Sequence, residues 1–356
     1  MEDKKEIQKT ILNQSKHIEK ATEDEFINVL KMIAPGTHFR TALDGILKGG
    51  KGALIVLENE LLHSIIEGGF RINARFTPQR LVELSKMDGA IILSNDIKKI
   101  EHANVLLMPD NTIRSLETGT RHKAAERTAK QIGELAIAIS ERRHEITLFY
   151  KNIRYPLKRT DEILGKVNQY TQIIEKQREL FDNALKRLMS SELFLNPNLK
   201  QAILVIQKGK LIQKMADELK QPIVELGNEG PVFKSRLKEL LSGVEKETNL
   251  VLKDYTLISL KNSKSFLDDF SYDELQDQEK LLKTLGYSEF SEDVSIKGWH
   301  VLSKTRLSDA EIAIIIENLG GIDKIIYSEN PDFNSILGIE RANILKEDLE
   351  KIKTNY

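Results

Sequence analysis

Residues 88–143 read DGAIILSNDIKKIEHANVLLMPDNTIRSLETGTRHKAAERTAKQIGELAIAISERR, and the fold turns on them. Ala90–Leu93 and Ala103–Met108 are short apolar runs, with the length and composition of strands buried on both faces. From Lys123 the pattern changes: Ala125, Thr128, Ala129 and Ile132 recur at helical spacing, so a helix starts at Arg121. Leu135–Ile139 and Glu145–Tyr150 return to strand character. Strands interleaved with helices predict an α/β domain with a mixed central sheet covered by helices on both faces.

The charge in this stretch sits at the wrong pole. Arg121, His122 and Lys123 fall at or just before the first turn of the helix, where each cation opposes the helix dipole at a cost of roughly 0.3–1 kcal/mol. An anion at the same end is held by free backbone N–H groups as well as by the dipole. Three basic residues there make sense if a polyanion sits on them. The plainer alternative is a solvated, screened basic turn.

Toward the N-terminus, Glu23–Ile33 reads as a helix with Phe26, Val29, Leu30 and Ile33 on one face, stopped by Pro35-Gly36. A second helix runs through Leu43–Leu47 and is broken by Gly49-Gly50-Lys51-Gly52, after which Ala53–Leu57 is another buried-strand candidate. Gly45–Gly52 nearly spells a phosphate-binding P-loop, but Gly52 stands where a Ser or Thr should hold magnesium, and the loop precedes a strand instead of following one. Its glycines read as a helix stop and a tight approach to the strand. Phe70–Phe76 alternates as a strand, and Thr77-Pro78 starts a helix lined by Leu81, Leu84 and Met87.

Beyond Tyr150 the character shifts. From Lys158 come long, charged, helical-period segments, with Ile163, Val167, Tyr170 and Ile174 continuing to Leu180 and Leu188, then Leu199–Leu219 and Val232–Leu252. They predict an all-α bundle or spacer. From Gly298, helical segments Ala310–Leu319, Ile322–Tyr327, Phe333–Leu337 and Arg341–Ile352 are punctuated by Gly320, Gly321 and Gly338, the pattern of a tandem helix-hairpin-helix module. Hairpin glycines let backbone N–H groups approach a phosphate, which binds duplex regardless of sequence. Against this, residues 298–356 carry ten acidic and seven basic residues, and Glu340 stands where a second glycine is wanted. The expected organisation is residues 1–150, 151–297 and 298–356.

The chain of 356 residues, 40% apolar and 30% charged, is long enough for two or three domains with real cores. It has no cysteine, which excludes disulfides, thiolate metal sites and cysteine nucleophiles and fits a reducing cytoplasm. Met1–Lys20 lacks the apolar core of a signal peptide, and no apolar run reaches the length of a membrane span, so a cytoplasmic protein without membrane contact is expected. A net charge of −1 confines any nucleic-acid contact to a local surface.

Asp88 with Gly89 forms a loop closing onto a strand, where a carboxylate can hold a divalent ion or polarise a hydroxyl and the glycine admits a ligand. A lone Asp-Gly is commonly a turn. Joined to a basic helix start, it supplies what phosphoryl chemistry needs: a carboxylate at the attacking oxygen, with cations and N–H groups on the departing phosphates. Ser140, followed by Arg142 and Arg143, can reach the same pocket or start a turn.

Asp88-Gly89-Ala90, Leu107-Met108-Pro109-Asp110, Glu117-Thr118-Gly119-Thr120-Arg121-His122 and Ser140-Glu141-Arg142-Arg143 together resemble the diadenylate cyclase family. With the helical middle and the hairpin tail, the resemblance to its DNA integrity scanning branch covers nearly the whole chain. It implies condensation of two ATP molecules into cyclic di-AMP with release of two pyrophosphates, on domains facing each other in a homo-octamer. It also implies that Asp88 holds Mg²⁺ or Mn²⁺ and activates a 3′-hydroxyl, and that Gly89 and Leu107 flank the nucleoside. Thr120, Arg121, His122 and Lys123 would hold the phosphates, with Ser140 as a further contact. Lys123 stands where the family usually has arginine and Ala124 where it often has threonine, so a bidentate grip and one hydroxyl contact to the nucleotide are absent. Gly320, Gly321 and Gly338 would meet branched DNA that regulates synthesis. Two rival readings are a DNA-junction binding protein that senses ATP without catalysis, and a metal-dependent nucleotidyltransferase that needs no facing partner.

Overall fold

The computed structural model describes residues 20–292, 294–327 and 333–355, which fall into two compact units. One holds the described residues up to Lys166 together with Gln221–Val232. The other holds Val167–Lys220 together with the described residues from Phe233 onward.

The first unit opens with α1 (Glu23–Met32) and α2 (His38–Lys48), followed by β1 (Ala53–Leu57), β2 (Ile66–Glu67), β3 (Phe70–Arg75) and α3 (Pro78–Leu84). Next come β4 (Ala90–Leu93), β5 (Lys99–Leu107), α4 (Thr120–Ile132), β6 (Ala136–Ser140), β7 (Glu145–Tyr150) and β8 (Ile153–Pro156). Threonines start the first three helices: Thr22 in a capping box with Glu25, Thr37 accepting from the Arg40 N–H, and Thr77 ahead of Pro78.

The strands form one sheet in the order β2-β5-β4-β1-β6-β7-β8, with β3 also pairing β5. β1 runs parallel to β4 and antiparallel to β6, so the sheet is mixed. All five residues of β1 are buried, and they alternate between two core layers. Ala53, Ile55 and Leu57 pack with Phe26, Leu30, Phe39, Leu43 and Leu81 from α1, α2 and α3. Leu54 and Val56 pack on the other face with Ala125, Ala129 and Ile132 of α4. That second layer is rich in alanine, Ala90, Ala136 and Ala138 included, which lets α4 lie close to the strands.

Three details depart from the sequence reading. β5 starts at Lys99 and not at Ala103, because exposed Lys99 and half-buried Glu101 and His102 hide its apolar half. α3 ends at Leu84, leaving Met87 42% exposed, whereas β3 is the alternating strand expected and lies at the sheet edge with Phe70 44% exposed. The sheet also runs past Tyr150: the turn at Lys151, with φ +49, sends the chain back as β8. Proline ends the pattern of that strand, and an edge position tolerates it.

Helices follow: α5 (Thr160–Leu193), α6 (Leu199–Glu225), α7 (Gly230–Leu241), α8 (Val244–Tyr255), α9 (Leu260–Asp269), α10 (Tyr272–Gln276) and α11 (Gln278–Leu285). The last are α12 (Trp299–Leu302), α13 (Asp309–Leu319), α14 (Ile322–Tyr327), α15 (Phe333–Leu337) and α16 (Ile339–Asn355). No strand occurs among the described residues after Pro156, as the long helical periods predict. The apolar stripe of α5 buries Phe181 in place of Leu180, to which the helical spacing points, and Val232 is 71% exposed.

In the second unit the segment from Gly298 is fastened to the helices before it. Asp254 on α8 accepts hydrogen bonds from the N–H groups of Gly298 and Trp299, each 2.9 Å, and of His300, 2.8 Å. His300 Nδ1 lies 2.6 Å from Glu192 Oε2, and both side chains are fully buried.

Candidate active site

Helix α4 begins at Thr120 behind an N-cap glycine, Gly119, with no side-chain cap and no acidic residue in its first turn. Its first N–H groups are thus left without side-chain acceptors, the arrangement that receives an anion. Thr120 and Arg121 are exposed there, whereas His122 is buried and its ring meets Phe149 edge-on at 6.4 Å. Burial pushes the His122 pKa below its ordinary value; the Glu117 carboxylate pulls it up and Arg143 pushes it down again. A neutral imidazole results at neutral pH, and its Nε2 is buried with no hydrogen-bond partner among the described residues.

Opposite α4, the chain enters β4 through Gly89 at φ +82, a conformation open to glycine. A Cβ there would lie 2.8 Å from the Asn104 carbonyl carbon and 2.9 Å from the Val105 nitrogen. Asn104 itself has φ +56, and the β4–β5 register shifts beside it, the signature of a bulge. The glycine of the Asp-Gly-Ala therefore makes room for an irregular partner strand.

These segments line an open cavity of about 510 Å³. Gly89 and Ala90, Val105 to Leu107, Gly119 to His122 with Ala124, and Ser140 to Arg142 line it together with Leu54. Seven of the residues singled out from the sequence thus meet in one place: Gly89, Leu107, Thr120, Arg121, His122, Ala124 and Ser140. Asp88 and Lys123 are not part of the lining. Asp88 is exposed, one residue before Gly89; Lys123 is half-buried, and its N–H closes the first turn of α4 onto Gly119 O at 2.8 Å. Ser140 does both things foreseen for it, since it lines the cavity while its Oγ accepts the Arg143 N–H at 3.1 Å.

Sequence reasoning missed the residues that hold the 110–117 loop onto α4. Glu126 Oε2 accepts from Ser115 Oγ at 2.5 Å and from the Leu116 N–H at 3.1 Å, and Lys130 donates to Glu126 at 2.6 Å and to Arg114 O at 2.9 Å. Arg127 donates to Ile113 O and Asn111 O, both 3.0 Å, and Gln131 accepts the Asp110 N–H at 2.8 Å. Burial pushes Glu126 up, yet the bonds from Lys130 and Ser115 outweigh it, so its pKa ends below the ordinary value. The only sequence signal was the four polar positions 126, 127, 130 and 131 sharing one helix face. Glu117, buried, pairs with Arg154 of β8, a strand the sequence reading did not include.

Among the described residues no cluster of three or more His, Asp or Glu side chains could hold a metal ion. A lone exposed carboxylate such as Asp88 suits a hard cation that arrives already bound to phosphates, because Mg²⁺ commonly takes one or two carboxylates and completes its shell with water and substrate.

Gly320, Gly321 and Gly338 lie in the second unit. Gly320 ends α13 at φ +91, and Gly338, at φ +81, has open space where a Cβ would stand. The N–H of Ile322, after Gly320-Gly321, already donates to Ile296 O at 3.2 Å. Glu340 is exposed. The nearby arginines are engaged: Arg341 with Glu311 at 2.5 Å, and Arg306 with Asp348 at 2.9 Å and Glu347 at 3.0 Å.

Two stretches of the chain match known protein families: residues 40–153 the DisA bacterial checkpoint controller nucleotide-binding domain, and residues 157–294 the DisA bacterial checkpoint controller linker region. The DNA integrity scanning protein DisA of Acetivibrio thermocellus is 37% identical over 347 residues, covering 94% of this chain and 96% of that one. DisA of Bacillus pumilus is 38% identical over 346 residues and DisA of Bacillus subtilis 36% over 345, each with 94% of this chain and 96% of the relative covered. With a nucleotide-binding α/β domain, the helical linker that follows it and such identity over almost the full length, the chain belongs to the DisA family.

Proposed function

We propose that the chain is a diadenylate cyclase that condenses two ATP molecules into cyclic di-AMP and releases two pyrophosphates. The observation that carries this reading is the convergence on one cavity of Gly89, Leu107, the uncapped start of α4 with Arg121 and His122, and Ser140. Its volume, about 510 Å³, lies within the roughly 300–1,000 Å³ range of small-molecule sites.

In this reading the triphosphate lies along the first turn of α4, where the N–H groups, Thr120 and Arg121 hold its oxygens and a neutral His122 offers one uncharged hydrogen bond. Lys123, outside the lining, adds long-range charge, and Ser140 contributes its hydroxyl proton while its oxygen stays on Arg143 N–H. The nucleoside rests between Gly89 and Leu107, and Ala124 leaves an apolar wall. Two chains face each other. Each 3′-oxygen forms a bond to the partner nucleotide's α-phosphorus, the bond from that phosphorus to the bridging oxygen breaks, pyrophosphate leaves, and the 3′-proton passes to the Asp88 carboxylate. An exposed Asp88 outside the one-nucleotide cavity fits a residue serving an interface between two copies. Mg²⁺ or Mn²⁺, held by Asp88 and the phosphates, would supply charge neutralisation. Repeated facing pairs would give the octamer.

For the tail we propose a helix-hairpin-helix module (α13 to α16) with weak, salt-sensitive affinity for branched DNA. At Gly338 only the space beside its Cα is open, since its N–H donates to Asn334 O at 3.0 Å just as Ile322 N–H and both arginines are taken up internally, which keeps the affinity weak.

The test is incubation of the purified chain with ATP and Mn²⁺ or Mg²⁺ and chromatography of the products. Cyclic di-AMP and pyrophosphate in a 1:2 ratio are expected. Absence of product with every metal, from protein that still binds ATP, would leave a nucleotide sensor and sink the cyclase.

A further inference from the structure

Gly52 ends the near P-loop whose order along the chain is wrong for binding phosphate, and the structure gives it another use. It directly precedes Ala53, which pairs with Ile139 across the β1–β6 ladder. Arg121 reaches from the first turn of α4 into the notch at this corner, where its Nη1 donates to Ile139 O at 3.4 Å. A Cβ on Gly52 would lie 1.9 Å from Arg121 Nη1 and 2.8 Å from its Cζ. At that distance one of the two groups must move, so the guanidinium occupies the space a β-carbon would need.

We infer that Gly52 is a positioning residue for the phosphate grip: its bare Cα and the Ile139 carbonyl form a berth that holds the Arg121 guanidinium in place before ligand arrives. The inference rests on the nucleotide-site reading of the cavity that Arg121 lines. An arginine side chain has many rotamers, and fixing it on binding weakens affinity; a berth that fixes it beforehand removes that loss. The 3.4 Å hydrogen bond is long, so it guides the guanidinium without competing strongly with phosphate oxygens. The requirement for glycine here concerns space alone. Gly52, unlike Gly89, does not have a left-handed φ, so alanine fits the backbone and collides only with the end of a flexible side chain.

That separation gives a clean test by a double-mutant cycle on ATP affinity, measured by calorimetry with the full-length chain, with cyclic di-AMP formation followed alongside. Gly52→Ala should melt like the parent, weaken ATP binding about tenfold and raise KM more than it lowers kcat, since a misplaced cation loses ground-state grip first. In an Arg121→Ala background the same Gly52→Ala change should have no further effect, because the side chain it displaces is gone. ATP affinity unchanged in Gly52→Ala, or an equal loss with and without Arg121, overturns the berth. Failure to form product while the binding cycle behaves as expected removes the cyclase reading and leaves the berth standing; failure of the parent chain to bind ATP overturns both.

Discussion

Arg154 on β8 donates from Nε to the carboxylate of Glu117, a buried side chain three residues before α4 begins. The last strand of the sheet thereby fastens the turn that delivers Thr120, Arg121 and His122 to the cavity. Removing the cation leaves a buried carboxylate without its partner. Because the Arg154 side chain is 41% exposed, water softens the loss, and Arg154→Ala should cost about 1–3 kcal/mol in urea denaturation. Glu117 also raises the His122 pKa, so Glu117→Gln should move the His122 titration to lower pH in NMR. An unmoved titration would show that the two side chains do not sense each other.

Asp88 stands outside the cavity lining and Arg121 within it, so their substitutions should separate. Asp88→Asn should bind ATP like the parent yet lose turnover by 100-fold or more, on the order expected for a general base or metal-bearing carboxylate. Arg121→Ala should lose ATP affinity as well. Single-turnover assays beside equilibrium binding distinguish the two, and normal cyclisation by Asp88→Asn would refute its role.

Burial raises the Asp254 carboxyl to about 6 despite the three N–H groups it accepts. The folded protein thus holds this proton more tightly than the unfolded chain, whose ordinary value is 3.8. Its contribution to stability is fullest below 3.8 and falls as pH rises toward 6, by about 3 kcal/mol at 1.36 kcal/mol per pKa unit. Urea melts of the parent and of Asp254→Asn at pH 4 to 7 should show the difference between them changing across that window and flat above it. A constant difference would mean that Asp254 titrates normally.

Gel shifts of a four-way DNA junction should show weak binding that fades steeply with salt. Glu340→Gly removes an exposed carboxylate two residues from Gly338, which has open space beside its Cα, and should tighten binding several-fold. Strong binding by the parent chain would mean that the Arg306 and Arg341 ion pairs open for DNA.

The sequence by itself determined the alternation of helices and strands through Tyr150, the helical character beyond Lys158, and most of the cavity's named residues. These signals are local: apolar runs, helical spacing, glycine punctuation and clustered charge. Tertiary structure alone decided the rest. β8 is half polar and ends in proline, so only its pairing with β7 reveals a strand. Glu126, Arg127, Lys130 and Gln131 look like an ordinary solvated face until the 110–117 loop folds over them. Gly52 and Arg121 stand 69 positions apart, and no periodicity connects them. The space one leaves and the other fills exists only once β1 and β6 are side by side, because close contact is a property of the folded chain and not of its local pattern.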